Sequence, residues 1–181
     1  MTTRAGRRYV WIIVAMSPAD EAAFRAFALD RRTPLRRTAY LLCGDWHHAD
    51  DLVQNTLVKL YVAWRRIDNE VPDAYARRTL MRCFLDERRR PWRRETPVLE
   101  VPDAAETDGA AIELDIATAL NRLTPRQRAT VVLRFWADAS VAETAAALNC
   151  SEGTVKSQTA RAIAQLREFL GDPALAIEES R

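Results

Sequence analysis

The segment from Ser151 to Arg161 holds side chains that can bond base edges or phosphates from within a DNA groove. Lys156 and Arg161 suit phosphates or guanine edges, and Gln158 can pair with an adenine edge. Glu152 and Ser157 share that polar side, while Ser151 and Thr154 sit where the start of a helix would touch the backbone. Such groups act only when a rigid element holds them together, and the surrounding residues predict one. Ser140 and Glu143 form a capping-box pair, so a helix should open at Val141 and pack through Val141, Ala145 and Leu148. Asn149 and Cys150 suit a tight turn, and Ser151 caps a second helix whose buried side is Val155, Ala162, Ile163 and Leu166. The pattern is a helix-turn-helix with its second helix free for the major groove. A plain amphipathic hairpin would need fewer of these features to coincide. Two caps, a turn and the small Ala145–Ala146 pair all agree with the DNA-reading form.

Charge is distributed in blocks. The 181-residue chain carries a formal net charge of only +2. Between Arg77 and Arg94, however, eight arginines face only Asp86 and Glu87, and from Glu95 to Asp115 seven acids meet no Lys or Arg. That order predicts an anion-binding patch followed by a solvated acidic tether. Catalysis is not indicated: the sequence shows no convergent acid cluster, phosphate loop or nucleophile motif. No cofactor is expected. Cys43, Cys83 and Cys150 are odd in number and far apart, which fits a reducing compartment, and adjacent His47 and His48 cannot both face one metal from a regular helix.

The elements needed to position these groups are helical throughout. Helices are expected over 18–32, from Thr33–Pro34 to Gly44, from about His48 to Arg66, and from Pro72 to Pro91. Leu52, Val53, Leu57, Leu60, Tyr61 and Trp64 form an apolar face on the third, and Tyr75, Leu80, Phe84 and Leu85 pack inward on the fourth. After Pro97, Pro102 and Gly109, helices resume near Ala111 with a stripe of Ile112, Ile116, Ala119, Leu120 and Leu123. Thr124 to Gln127 is another capping box, starting a helix to Trp136. No segment alternates at period two, so the expected fold is all-α, with two small helical domains joined by an acidic flexible linker. The expected divisions are an extension at 1–16, a first domain at 17–94, a linker at 95–112, a second domain at 113–171 and a tail at 172–181. The apolar run from Tyr9 to Met16 behind Arg7 and Arg8 is too short to span a bilayer. Ser17 and Pro18 directly after it open a helix, so residues 1–15 are expected to be dispensable.

Over residues 20–170 the chain resembles the extracytoplasmic-function sigma factors of bacterial RNA polymerase. The segments from Gly44 to Tyr61 and from Pro72 to Leu80 are similar to sigma region 2; Leu123 to Arg128 and Gly153 to Ser157 are similar to region 4. The short spacer leaves no room for the middle domain of housekeeping sigma factors. The resemblance implies a cytoplasmic protein that binds core RNA polymerase and directs promoter recognition, melting and initiation, without membrane insertion. It implies that Asp51, Leu52, Gln54 and Asn55 grip the coiled coil of the β′ subunit; an acidic residue commonly stands where Asn55 is found. It implies that region 4 docks on the β flap around Arg126, Leu133 and Trp136, and that an anti-sigma factor is a possible partner.

For melted DNA at the downstream box, the resemblance places base capture in the loop from Ile67 to Asp73, which includes Asn69. Arg77, Arg78, Arg82, Arg88 and Arg89 can track phosphates, and Tyr75 and Trp92 can stack on unpaired bases, although Tyr75 fits a core position equally well. The helix from Ser151 reads the duplex upstream box. There, Gln158 replaces the basic residue of many relatives and should alter promoter preference. The 18 residues of the linker reach about 60 Å when extended, or about 17 base pairs, so two weak modules can read two boxes together. A stand-alone dimeric regulator would share the helix-turn-helix. It would leave the ridge at Asp51, Gln54 and Asn55 without a purpose, and no sensor or dimerisation helix is visible.

Overall fold

The computed structural model describes residues 16–67, 72–88 and 116–170, and these are helical with no strand among them. Helix α1 (Pro18–Cys43) opens on a Ser17 cap that accepts from the Asp20 amide, and it closes on Gly44. Helix α2 (Trp46–Ala63) starts on the Asp45 cap and ends in a 3₁₀ turn at Trp64–Arg66; α3 covers Pro72–Arg88. Residues 116–121 form the described part of α4. Helix α5 (Pro125–Val131) runs into a π turn at Val132–Trp136, followed by α6 (Val141–Leu148) and α7 (Glu152–Leu170). No helix among the described residues is long and apolar enough to cross a membrane.

The expected break at Thr33–Pro34 does not occur: α1 is one helix of 26 residues. Pro34 lacks the amide that would bond the carbonyl four residues back, and an interior proline costs about 3 kcal/mol. Both halves of α1 nevertheless pack along α2, the first against its end and the 3₁₀ turn and the second against its start, and that packing outweighs the lost bond. In the first half, Phe24 meets Tyr61 and Trp64 edge-on at centroid distances of 5.2 Å, and Phe27 meets Trp64 at 5.3 Å. In the second half Leu35, Ala39 and Leu42 are buried, and Tyr40 stacks on Trp46 at 4.0 Å. Arg36 lies over the Trp46 ring and bonds Asp50 at 2.8 Å, while Thr38 Oγ1 donates to the Pro34 carbonyl.

Helices α1–α3 form one bundle around Leu42, Leu52, Leu60, Leu80, Met81 and Phe84, all essentially solvent-free. His48 Nε2 and Glu87 Oε2, 2.7 Å apart, pin the start of α2 to the end of α3. Helices α4–α7 form a second bundle around Leu120, Leu123, Val132, Leu133, Leu148 and Val155. The two bundles touch, chiefly where α3 lies on α6 and where α1 meets α5 and the π turn. Gly44 marks one close approach. Its φ is +74°, and a Cβ there would stand 2.2 Å from Asn121 Nδ2 in the other bundle.

Candidate nucleic-acid interface

Both capping boxes form. Thr124 and Gln127 exchange bonds at the head of α5, as do Ser140 and Glu143 at the head of α6. Hydrogen bonds from the Ser140 amide and hydroxyl hold the Glu143 carboxyl below the usual carboxylate range, with a smaller contribution from Arg77. Helix α6 ends on Asn149 in the left-handed region (φ 51°, ψ 57°), and the Cys150 amide returns to the Ala145 carbonyl at 3.0 Å. Ser151 then caps α7 by accepting from the Thr154 amide at 3.1 Å. The pair is therefore a helix-turn-helix as expected, with a left-handed asparagine making the turn.

On α7, Val155 and Ala162 are buried. Ser151, Glu152, Lys156, Ser157 and Arg161 are exposed, with Thr154 and Gln158 half-buried beside them. Lys156 and Arg161 hold no bond or ion pair to the Asp or Glu side chains among the described residues, so this face presents two cations and a carboxamide to an outside ligand.

On α2, Asp51, Gln54 and Asn55 are exposed on one side, as their spacing requires. Leu52 departs from the expected polymerase contact. It is 0% exposed, because position 52 points into the bundle while 51, 54 and 55 point away; it anchors the ridge and cannot touch a partner. Next to the ridge an open groove between α1 and α2 is lined by Phe24, Leu29, Val53, Leu57, Val58 and Tyr61. Leu29 and Val58 there are exposed large apolar side chains. Leu133 likewise leaves the expected flap-docking surface. It is buried, whereas Phe135 and Trp136 on the π turn are exposed and Arg126 lies on the surface.

Helix α3 carries the remaining cations. Arg82 is exposed, and Tyr75, Arg77, Arg78 and Arg88 are half-buried. Arg78 lies over the Tyr75 ring at 5.2 Å and Arg88 over Phe84 at 5.7 Å. Tyr75 packs against the core and also lines a cleft of about 450 Å³ together with Arg66, Arg77 and Arg78. Asn69, Arg89 and Trp92, like the linker and the residues before Met16, lie outside the described residues.

Arg128 is a residue that sequence reasoning passed over. It is 5% exposed, and its guanidinium donates to Asn121 Oδ1 at 2.6 Å, to the Asn121 carbonyl at 2.8 Å and to the Leu42 carbonyl at 2.6 Å. Burial, aided by the nearby Arg88 cation, lowers its pKa to about 10. Its position with Val131 and Val132, three and four residues on, marks it as inward-facing, which was the available signal. Beside it, burial raises the Cys43 thiol to about 12. No group of three or more His, Cys, Asp or Glu among the described residues could hold a metal.

Comparison with known proteins accounts for both bundles. The family described as Sigma-70 region 2 matches residues 27–94, and Sigma-70 region 4 matches residues 113–166. The RNA polymerase sigma-E factor of Streptomyces avermitilis is 39% identical over 159 residues, covering 86% of this chain and 89% of that protein. The extracytoplasmic-function sigma factor SigM of Mycobacterium tuberculosis is 32% identical over 164 residues, covering 88% and 83%. Among solved structures, the sigma factor RpoE of Bartonella quintana in complex with the anti-sigma factor NepR superposes with a TM-score of 0.67 at 26% identity, over 83% of this chain and 98% of that one. CnrH in complex with the cytosolic domain of CnrY shares the fold at a TM-score of 0.63 and 23% identity, over 84% and 90%. The chain belongs to the sigma-70 family as an extracytoplasmic-function sigma factor, a protein that binds core RNA polymerase and directs promoter recognition, melting and transcription initiation.

Proposed function

We propose that the work is divided among three surfaces of the chain. The exposed ridge of Asp51, Gln54 and Asn55 grips polymerase, with Leu52 holding it from beneath. The groove beside it, apolar and rimmed by Gln54, supports this reading, because apolar patches edged by polar groups mark protein interfaces. Arg77, Arg78 and Arg82 on α3 hold the melted strand of the downstream box, and Tyr75 offers it a ring. Asn69, Arg88, Arg89 and Trp92 belong to the same proposed surface through their place in the sequence. Helix α7 enters the major groove of the upstream box, where Lys156, Gln158 and Arg161 meet bases or phosphates and Ser151, Glu152, Thr154 and Ser157 set the register.

The observation that carries this division is the segregation on α7. Two buried apolar positions fix the helix, and its opposite face leaves both cations uncommitted. The chain's own contribution is binding energy and base capture, and the bond-making chemistry is polymerase's. It works in the cytoplasm, with 17–94 and 113–171 as its two functional units. An anti-sigma factor, of the kind bound to the Bartonella quintana relative, is a fitting regulator. Footprinting of the holoenzyme tests the assignment. Lys156→Ala and Arg161→Ala should lose protection of the upstream box alone, and unchanged footprints in both would remove α7 from the readout.

A further inference from the structure

The first half of α1 carries apolar side chains that the bundle leaves open. Every fully buried residue of α1 lies at or after Leu35. Before it, Phe24 and Leu29 line one wall of the groove, and Val53, Leu57, Val58 and Tyr61 of α2 line the other. Leu29 is 74% exposed and Val58 48%, so an apolar space of about 580 Å³ opens to solvent. Groups of this kind gain free energy from any apolar cover, and a patch this continuous marks a place where one docks.

The chain carries a segment of matching chemistry beside the groove. From Tyr9 to Ala15 every residue is apolar or aromatic, and only Met16 and Ser17 separate this run from the first residue of α1. The run lies outside the described residues; its reach, tether and composition suit the groove. Phe24 meets Tyr61 and Arg36 bonds Asp50, so α1 and α2 are antiparallel, and the end of the groove at Glu21 and Tyr61 lies nearest the start of α1. The walls run from Glu21 to Arg32 and from Asp50 to Tyr61, about 17 Å each at about 1.5 Å per residue. The seven residues of the run reach about 23 Å when extended. Doubling back from Ser17, they span the groove and bring Arg7 and Arg8 to its far end, where Asp51 is exposed. So short a tether holds the run at about millimolar effective concentration.

We infer that in the free protein the run from Tyr9 to Ala15 occupies the α1–α2 groove and competes with polymerase for it. Gln54 belongs to both the groove and the proposed polymerase ridge, so a filled groove obstructs the ridge. The competition rests on the assignment of that ridge to polymerase. Residues 1–15 are then dispensable for initiation and lower the affinity of the chain for its partner. Three variants test this: a chain starting at Met16, the full chain with Trp11→Glu and Ile13→Glu, and Val58→Asp, which sets a charge in the half-exposed middle of the groove. Fluorescence of Trp11, taken as the difference between a protein and its Trp11→Phe form, reads the surroundings of the run without polymerase. Titration with core polymerase reads the competition.

The expected result is a blue-shifted Trp11 emission in the free wild type that moves to that of an exposed indole in Val58→Asp. The chain starting at Met16 and the double variant should bind core polymerase about three- to tenfold tighter than wild type, as a groove closed in about two-thirds to nine-tenths of molecules requires. An exposed Trp11 in the free wild type would overturn the inference. So would a dimer in sedimentation whose dilution exposes Trp11, which would seat the run on a second copy. Unchanged affinity on truncation, with Asp51→Ala still weakening the truncated chain, would overturn the competition alone. Unchanged affinity on truncation and on Asp51→Ala together would overturn the assignment of the ridge, and the competition with it.

Discussion

The Arg128 guanidinium donates to the carbonyl oxygen of Leu42 at 2.6 Å, tying the head of α5 to the last turn of α1. The last carbonyls of a helix lack partners within it. Here one of them is satisfied from 86 residues away in the sequence. The same side chain serves the Asn121 and Leu123 carbonyls, so it organises its own bundle as well as the joint. Arg128→Met should therefore leave several buried acceptors unpaired and cost about 1–3 kcal/mol, read as a lower midpoint in urea unfolding.

Cys43 should impose an alkaline limit on stability. Its thiol ionises near 9 when unfolded but is held to about 12 in the folded protein. Below pH 9 both states are protonated and the residue contributes no pH dependence. Between about pH 9 and 12 only the unfolded state loses its proton, so stability falls as pH rises. Arg128, with its folded value near 10, acts in the opposite sense above that pH. Comparison with Cys43→Ala isolates the thiol: the stability of wild type relative to the variant should be constant up to pH 9 and decline above it. Thiol titration of the native protein should likewise find Cys150 faster than the buried Cys43 and Cys83.

Ser140→Ala removes the cap of α6 and should cost about 1 kcal/mol. The acid side of the stability profile should change too. Glu143, held below its usual range chiefly by Ser140, supports the fold above its unfolded value and loses that support as pH falls through its folded one. In Ser140→Ala this acid loss should shrink. Thermal melts across mildly acidic pH read both effects.

The ridge and the residue beneath it should fail in different ways. Asp51→Ala and Gln54→Ala should lower affinity for core polymerase with little change in melting temperature, because both are exposed. Leu52→Ala empties a fully buried site and should cost about 2–5 kcal/mol of stability. Parallel melts and core-binding titrations separate the two.

Much of this division was legible from residue types and spacing. Caps at Ser17, Thr124 and Ser140, the turn at Asn149 and the exposed ridge on α2 are local features, and each was read from a few neighbouring residues. What stayed hidden depends on packing between distant segments. Pro34 signals a helix break, yet α1 stays continuous because both halves lie along α2. The surface expected around Leu133 differs as well: within the π turn Leu133 is buried in the bundle, and Phe135 and Trp136 are the exposed side chains. The role of Arg128 depends on Leu42 and Asn121 coming together, which no local pattern encodes.

Salt dependence gives a sharper view of α7. If Lys156 meets a phosphate, Lys156→Ala should weaken upstream-box binding across sequences and reduce the slope of log affinity against log salt by about 1. If Gln158 meets a base, Gln158→Ala should relax preference at one position and leave the salt slope alone. Binding titrations over a range of salt concentrations, on matched and single-substituted duplexes, read both.

The most direct test of the central claim is run-off transcription. Purified protein added to bacterial core RNA polymerase and a library of genomic promoters should give transcripts with defined start sites, each downstream of the same two boxes. A protein that neither binds core polymerase nor starts transcription, yet footprints duplex DNA on its own, would contradict the account.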